Sequence, residues 1–178
     1  MKVKTIFLDR DGIVNKDLGY VCKEEDFIFN EGIFTITKDF LAYGFEIIII
    51  TNQSGIGRGY YSEMEFKELN KWMLNKFNEL GLRIKDVFYC PHKPSDNCFC
   101  RKPSPGMFLK AAKTYSIDIE NSWMIGDKCT DIEAATAALI PNTIYVSNDP
   151  YPLNSSKPTH IVSDLLECSN LVCKNESF

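Results

Sequence analysis

An α/β fold built on a doubly wound parallel sheet is what this sequence predicts, and three observations predict it. Short apolar runs recur along the chain, helical patterns separate them, and a polar residue closes most of the runs. Strands alternating with helices make βαβ units, whose sheet is parallel and covered on both faces. Thr5 to Leu8 is the first strand, ending at Asp9. Ile47 to Ile50 is the second, and its lack of alternation places both of its faces in the interior. A short loop and one helix fill the interval between these strands. From Ser62 a helix runs to about Leu80, with a Ser62–Glu65 capping box, Phe66, Leu69, Met73 and Phe77 at helical spacing, and Gly81 as its stop. Val87 to Tyr89 is the third strand. Ser104 and Pro105 open a helix to about Tyr115. Trp123 to Ile125 is the fourth strand, and a Thr130–Glu133 capping box then starts an alanine-rich helix to about Leu139. Thr143 to Val146 is the fifth strand. Asn148 to Pro158 reads as a surface loop and Asn175 to Phe178 as a frayed end.

The 178 residues suffice for one domain, 1–178, with its own core. A composition 44% hydrophobic and 25% charged excludes a disordered tail or a fibre. The net charge of -4, with no basic stripe, argues against a nucleic-acid partner or recruitment to an anionic membrane. The longest apolar run, Phe45 to Ile50 with Glu46 inside it, falls far short of the ~20 residues of a membrane span. The first residues lack the pattern of a secretory signal. Seven cysteines, an odd number, with three of them clustered, favour a reducing compartment and metal binding over a disulfide framework.

In an open parallel sheet, ligands bind beyond the carboxyl ends of the strands. Asp9, Asp11, Thr51, Asn52, Cys90 and Asp127 all follow strands, which makes their convergence the main functional signal. Asp9-Arg10-Asp11-Gly12 places two carboxylates just past a buried strand, and Gly12 permits the turn that leaves it. Gly126-Asp127-Lys128 repeats the arrangement, with Asp131 four residues on. Carboxylates converging from different strands repel one another unless a cation lies among them, and hard oxygen ligands suit Mg²⁺. Thr51 offers a hydroxyl, its neighbours offer backbone amides and Lys102 a positive charge, which together would cradle a phosphoryl group. Alone, a D-x-D-G is equally a turn with a helix cap; the company of Thr51, Lys102 and Asp127 favours the site.

Cys90, His92, Cys98 and Cys100 have the form C-x-H-x5-C-x-C. Three thiolates and an imidazole make a closed tetrahedral shell suited to structural Zn²⁺. The loop 90–100 contains Pro91, Pro94, Asp96 and Asn97 and little apolar material, so a metal clip accounts for its order. A redox C-x-C pair and idle thiols are the alternatives. Trp72 and Trp123 read as core residues.

The order D-R-D-G, I-T-N-Q-S-G, C-R-K-P and G-D-K-x-x-D resembles the haloacid dehalogenase-like phosphatases, over Ile6 to about Val146. Within them the chain is most similar to the heptose 1,7-bisphosphate phosphatases and, beside them, the histidinol-phosphate phosphatases. The resemblance implies a Rossmann-like fold with Asp9 as nucleophile, Asp11 as general acid and then base, and Thr51 and Lys102 as the residues holding the phosphoryl oxygens. It implies Mg²⁺ on Asp9, Asp127 and Asp11, the last through its carbonyl, and Zn²⁺ on Cys90, His92, Cys98 and Cys100. Asp17, Leu18, Gly19 and Tyr20, then Asn52, Gln53 and Ser54, and also Arg101 and Lys128 are its implied substrate contacts, with Arg101 on the sugar's other phosphate. Taken as residues, Asp17 to Tyr20 could equally be a surface turn, and Gln53 to Gly59 a flexible glycine-rich loop. Ile13 departs from the threonine usual in the family. The intervals between Asp11 and Thr51 and between Thr51 and Lys102 leave no room for a cap domain. A small phosphorylated sugar is the implied partner, and a cytoplasmic monomer of surface-glycan precursor synthesis the implied setting.

Overall fold

The computed structural model describes residues 2–152 and 155–175. Six parallel strands form one sheet in the order β3-β2-β1-β4-β5-β6: β1 (Thr5–Leu8), β2 (Glu46–Asn52), β3 (Asp86–Cys90), β4 (Trp123–Gly126), β5 (Asn142–Val146) and β6 (His160–Val162). The helices are α1 (Ile33–Ala42), α2 (Ser54–Arg58), α3 (Glu63–Glu79), α4 (Gly106–Tyr115), α5 (Cys129–Ala137) and α6 (Leu165–Asn175). Strand order reverses direction between β1 and β4, so the crevice beyond their carboxyl ends is the switch point at which such sheets bind ligands.

The four isoleucines of β2 show why the strand reads as continuous apolar sequence. Ile47 and Ile49 join one core with Ile6, Leu8, Met73, Phe77 and Val172, while Ile48 and Ile50 join a second with Phe7, Phe108, Ala111 and Ala135. Each face is therefore sealed by helices, α1, α3 and α6 on one side and α4 and α5 on the other. The capping box of α3 forms as expected: Glu65 N–H donates to Ser62 Oγ at 3.1 Å and Ser62 N–H to Glu65 Oε2 at 2.6 Å.

Three local expectations are corrected. Gln53 to Gly59 is not a flexible loop; it folds as α2, ended by Gly59 at φ +74°. The capping residues of α5 are not Thr130 and Glu133: the helix starts two positions earlier, and the Lys128 N–H is satisfied at 3.0 Å by the carboxylate of Asp131. Buried Asp131 competes for that amide from inside the site, which surface capping statistics do not register. The segment after Val146 adds β6 and α6, which the sequence reading left out. There Leu166 N–H bonds Asp164 Oδ1 at 2.6 Å, and Cys168 and Val172 are wholly buried. Residues 148–152 and 155–158 carry no helix or strand, in keeping with a surface loop, whereas residues 153–154 and 176–178 lie outside the described part. Among the described residues no helix is long and apolar enough to cross a membrane.

Candidate active site

The chain leaves β1 without breaking the sheet, because Asp9 N–H still donates to Ile125 of β4 at 3.0 Å. It then turns sharply at Gly12, whose φ is +108°. A Cβ there would stand 2.0 Å from Asp127 Oδ2, so both the backbone angle and the neighbouring carboxylate require glycine. Asn30 fixes the turn by donating Nδ2 to the carbonyls of Gly12 and Ile13, at 2.8 and 3.1 Å.

Asp9, Asp11, Thr51, Asn52, Lys102 and Lys128 line one small cavity of about 40 Å³ with Thr130 and Asp131. At its floor Lys102 Nζ lies 2.7 Å from Asp9 Oδ1, 2.7 Å from Asp131 Oδ1 and 2.8 Å from the Ile50 carbonyl. Burial alone would pull the Lys102 ammonium down, but the carboxylates of Asp131 and Asp9 outweigh it and hold Lys102 above its usual range. Burial, joined by the negative charges of Asp131 and Asp127, pushes Asp9 up to about 8. Burial also lifts Asp127 to about 6.

Three carboxylates, Asp9, Asp127 and Asp131, bring ligand oxygens within 4.8 Å of one another. Both oxygens of Asp131 are engaged, one by Lys102 Nζ and the other by the Lys128 N–H. Asp127 Oδ1 is buried without a hydrogen-bond partner among the described residues. A buried, unpartnered carboxylate oxygen beside two more carboxylates is what a hard divalent cation would satisfy, so these residues fit Mg²⁺. The Asp11 carbonyl faces the same place, 3.4 Å from Lys128 Nζ.

Asp11 also lines the cavity, and its carboxylate is oriented by four donors within the protein. It accepts Arg10 Nε and Nη2 at 3.2 and 2.9 Å, Asn15 Nδ2 at 3.0 Å and Gln53 Nε2 at 2.9 Å. Arg10 is wholly buried near the rings of Phe66 and Phe27 and also donates to the Val21 carbonyl at 2.9 Å. Gln53 bridges Thr51 Oγ1, at 2.8 Å, to Asp11, and its own carbonyl accepts the Tyr61 hydroxyl at 2.6 Å. Asn52 closes both backbone groups of Lys102, donating to its carbonyl and accepting its N–H, each at 3.0 Å. The side-chain amides of Asn52 and Gln53 are thus engaged within the protein and brace Lys102, Thr51 and Asp11. Ser54 opens α2. Asp17 pairs with Lys128 at 2.8 Å, and Leu18, Gly19 and Tyr20 form the exposed loop beyond it. Arg101 lines a separate cavity of about 290 Å³ that shares Lys102 with the first. Sequence reasoning gave no role to Arg10 or Tyr61. A charged residue directly between two site aspartates was the visible signal for Arg10.

The four residues of the thiol cluster also meet. Their sulfurs are 3.3 to 3.4 Å apart, and His92 Nδ1 lies 3.2 Å from Cys100 Sγ and 3.6 Å from Cys90 Sγ. These spacings lie far beyond the ~2.05 Å of a disulfide and close to the ~3.8 Å edge of a tetrahedron built on ~2.3 Å zinc–sulfur bonds. Burial raises Cys90, while thiol hydrogen bonds from Cys100 and Cys90 overcome the burial of Cys98 and bring it down to about 7.

Comparison with known proteins places this geometry. A family model described as HAD-hydrolase-like matches residues 99–168. The D-glycero-alpha-D-manno-heptose-1,7-bisphosphate 7-phosphatase of Photorhabdus laumondii is 45% identical over 172 residues, covering 93% of each chain. The chain belongs to the haloacid dehalogenase-like phosphatases. Another phosphatase of this family, the D-glycero-beta-D-manno-heptose-1,7-bisphosphate 7-phosphatase of Helicobacter pylori, is 45% identical over 148 residues, 83% of this chain and 86% of its own. Among solved haloacid dehalogenase-like structures, the D,D-heptose 1,7-bisphosphate phosphatase of B. bronchiseptica, complexed with magnesium and phosphate, superposes with a TM-score of 0.86 at 28% identity. That match covers 97% of this chain and 99% of the other.

Proposed function

We propose that this phosphatase removes the C7 phosphate of D-glycero-D-manno-heptose 1,7-bisphosphate through an aspartyl-phosphate on Asp9. The observation that carries the chemistry is the meeting of buried Asp9 and Lys102 at one cavity, with the unpartnered Asp127 oxygen in the same carboxylate cluster as Asp9. The similarity of nearly the full chain to heptose bisphosphate phosphatases supports the substrate. Phosphate monoesters hydrolyse so slowly in water that catalysis must supply on the order of 20 kcal/mol. A covalent intermediate divides that task into two displacements. The Asp9 carboxylate attacks phosphorus while the bond from phosphorus to the sugar oxygen breaks, and Asp11 gives its proton to that oxygen. Water then attacks the aspartyl-phosphate, Asp11 takes the proton, and phosphate and the Asp9 carboxylate are released. Thr51 and Lys102 hold the equatorial oxygens, where charge accumulates. Asp9, Asp127 and the Asp11 carbonyl would hold Mg²⁺, which supplies positive charge against the repulsion between anionic nucleophile and anionic phosphate. Asp17 to Tyr20, Lys128 and the backbone of Asn52 to Ser54 would line the substrate, with Arg101 on the second phosphate; its cavity adjoins the first at Lys102.

Cys90, His92, Cys98 and Cys100 would hold a structural Zn²⁺, since the closed four-ligand shell leaves no position for a reacting water. The metal fixes the loop just before Arg101 and Lys102. A cytoplasmic, monomeric enzyme supplying surface-glycan precursors is the setting proposed.

Steady-state assays with both anomers of the bisphosphate, histidinol phosphate and a hexose bisphosphate test the reading. The heptose bisphosphate should give the highest kcat/KM, and higher efficiency on histidinol phosphate would overturn the substrate. A beryllium fluoride adduct found on any residue other than Asp9 would overturn the mechanism.

A further inference from the structure

Residues 17–20 form an arch whose two feet are tied into the site. At one foot Asp17 pairs with Lys128, which also reaches the Asp11 carbonyl, and Asp17 Oδ1 accepts the Gly19 N–H at 3.1 Å. At the other foot buried Val21 gives its carbonyl to Arg10 Nη2 at 2.9 Å, the same guanidinium that holds Asp11. Between the feet the backbone takes left-handed angles at Gly19 (φ +77°) and at Tyr20 (φ +53°), a conformation that costs energy for a bulky residue. The crown leaves Leu18 57% and Tyr20 48% exposed, so core packing does not account for this conformation.

The crown meets Tyr60. The two rings stand edge to face, with centroids 4.7 Å apart and planes at 82°. Tyr60 is itself 60% exposed, but its segment is fixed: next to it, buried Tyr61 bonds Gln53, which in turn holds Thr51 and Asp11. Two aromatic rings thus remain largely in water, each carried by a backbone tied to side chains that line or hold the catalytic cavity.

We propose that Tyr60 is a positioning residue for substrate selection: its ring holds the 17–20 arch, and the Tyr20 and Tyr60 rings together form the wall against which the sugar body packs, in place of a cap domain. This rests on the sugar-phosphatase reading above. Aromatic rings suit the task because they combine large apolar faces with few rotatable bonds. The wall touches the part of the substrate remote from phosphorus, so it acts on binding rather than on the chemical step.

Hydrogen exchange and steady-state kinetics on Tyr60→Ala and Tyr60→Phe test the proposal, with heptose 1,7-bisphosphate and p-nitrophenyl phosphate as substrates. In Tyr60→Ala, exchange at the amides of 18–21 should rise about tenfold and KM for the bisphosphate about tenfold, in line with loss of one aromatic pair. Its kcat, and its turnover of p-nitrophenyl phosphate, should stay within about twofold of the parent, because the reacting groups are untouched. Tyr60→Phe keeps the ring edge and should behave as the parent protein. Unchanged exchange in Tyr60→Ala, an equal loss on both substrates, or a Phe variant as impaired as the Ala variant each overturns the proposal. If the parent protein turns over p-nitrophenyl phosphate and no sugar bisphosphate, the substrate reading above fails, and the exchange comparison then decides this one by itself.

Discussion

The carboxylate cluster draws Asp9, Asp127 and Asp131 from opposite halves of the chain, whereas the thiol cluster draws Cys90, His92, Cys98 and Cys100 from a single loop. The first is held by the sheet: β1 and β4 pair directly, and their ends bring Asp9 and Asp127 together. The second rests on local contacts, such as the Gly57 N–H on the Pro91 carbonyl at 2.8 Å and the Gly106 N–H on the Phe99 carbonyl at 3.2 Å. Cys90 ends edge strand β3, and the other three ligands lie in irregular backbone beyond it. The difference teaches that the sheet supplies the geometry of the carboxylate cluster, whereas the loop beside it rests on local contacts that a bound metal would reinforce. Lys102 joins the two, two residues beyond Cys100 and bonded to Asp9.

The largest effect should come from separating reactivity from stability in the first cluster. Asp9→Asn should lower kcat/KM on the order of 10⁴-fold or more, as loss of a nucleophile does. It should leave the protein folded and its zinc content unchanged, because no zinc ligand depends on Asp9. Activity assays beside metal analysis check this, and zinc loss in that variant would erase the distinction between the two clusters.

The converse comes from the second cluster. Cys98→Ser should open loop 91–101 to proteolysis and lower Tm by roughly 5–10 °C. Activity should fall about ten- to a hundredfold, as when the residues supporting a site are lost. Mg²⁺ titration should still report binding at the carboxylates. Freshly purified, reduced parent protein with less than about half an equivalent of zinc would break the assignment of the closed shell.

How legible each cluster was follows from the same contrast. Asp9, Thr51 and Asp127 stood out because each ends an unbroken apolar strand, and the thiol ligands stood out because they lie within one short stretch of sequence. Asn52 and Gln53 were legible as site residues, but their partners were not. A side-chain amide that closes Lys102 or bridges Thr51 to Asp11 is a long-range contact, and strand-end position alone does not specify it. Arg10 was hidden for the same reason, since its burial beside Phe66 and Phe27 arises only once α3 and the loop before α1 pack together. The shift of the α5 cap to Lys128 and Asp131 has a further cause, a buried carboxylate serving the site and the helix end at once.

Asn52 spans the two regions, so it gives a smaller, sharper test. Asn52→Ala leaves the Lys102 N–H and carbonyl without their side-chain partner and should cost about 1–3 kcal/mol in urea unfolding. The kcat should fall as Lys102 loses its fixed position, with KM for p-nitrophenyl phosphate little changed. Stability loss with unchanged kcat would show that the thiol loop alone positions Lys102.

The smallest expected effect is a slope of opposite sign at Asp9 and at Cys98 in the metal-free protein. Asp9 is raised to about 8 and Asp127 to about 6, so between the ordinary carboxylate range and those values the folded state binds more protons than the unfolded one. Stability from this cluster therefore falls as pH rises from about 4 towards 8, and levels beyond it. Cys98 is lowered to about 7, so between 7 and the ordinary thiol range the unfolded state binds more protons, and Cys98 contributes stability that grows with pH. Thermal melts of chelated, reduced protein should show Tm declining from pH 5 to 8. Asp9→Asn should flatten that decline, and Cys98→Ser should make it slightly steeper between pH 7 and 8. Saturating Mg²⁺ should stabilise the parent protein more at pH 8 than at pH 5.5, because at the lower pH the ion must displace a proton from Asp9. A Tm gain on adding Mg²⁺ that is independent of pH would mean that the ion binds away from these carboxylates.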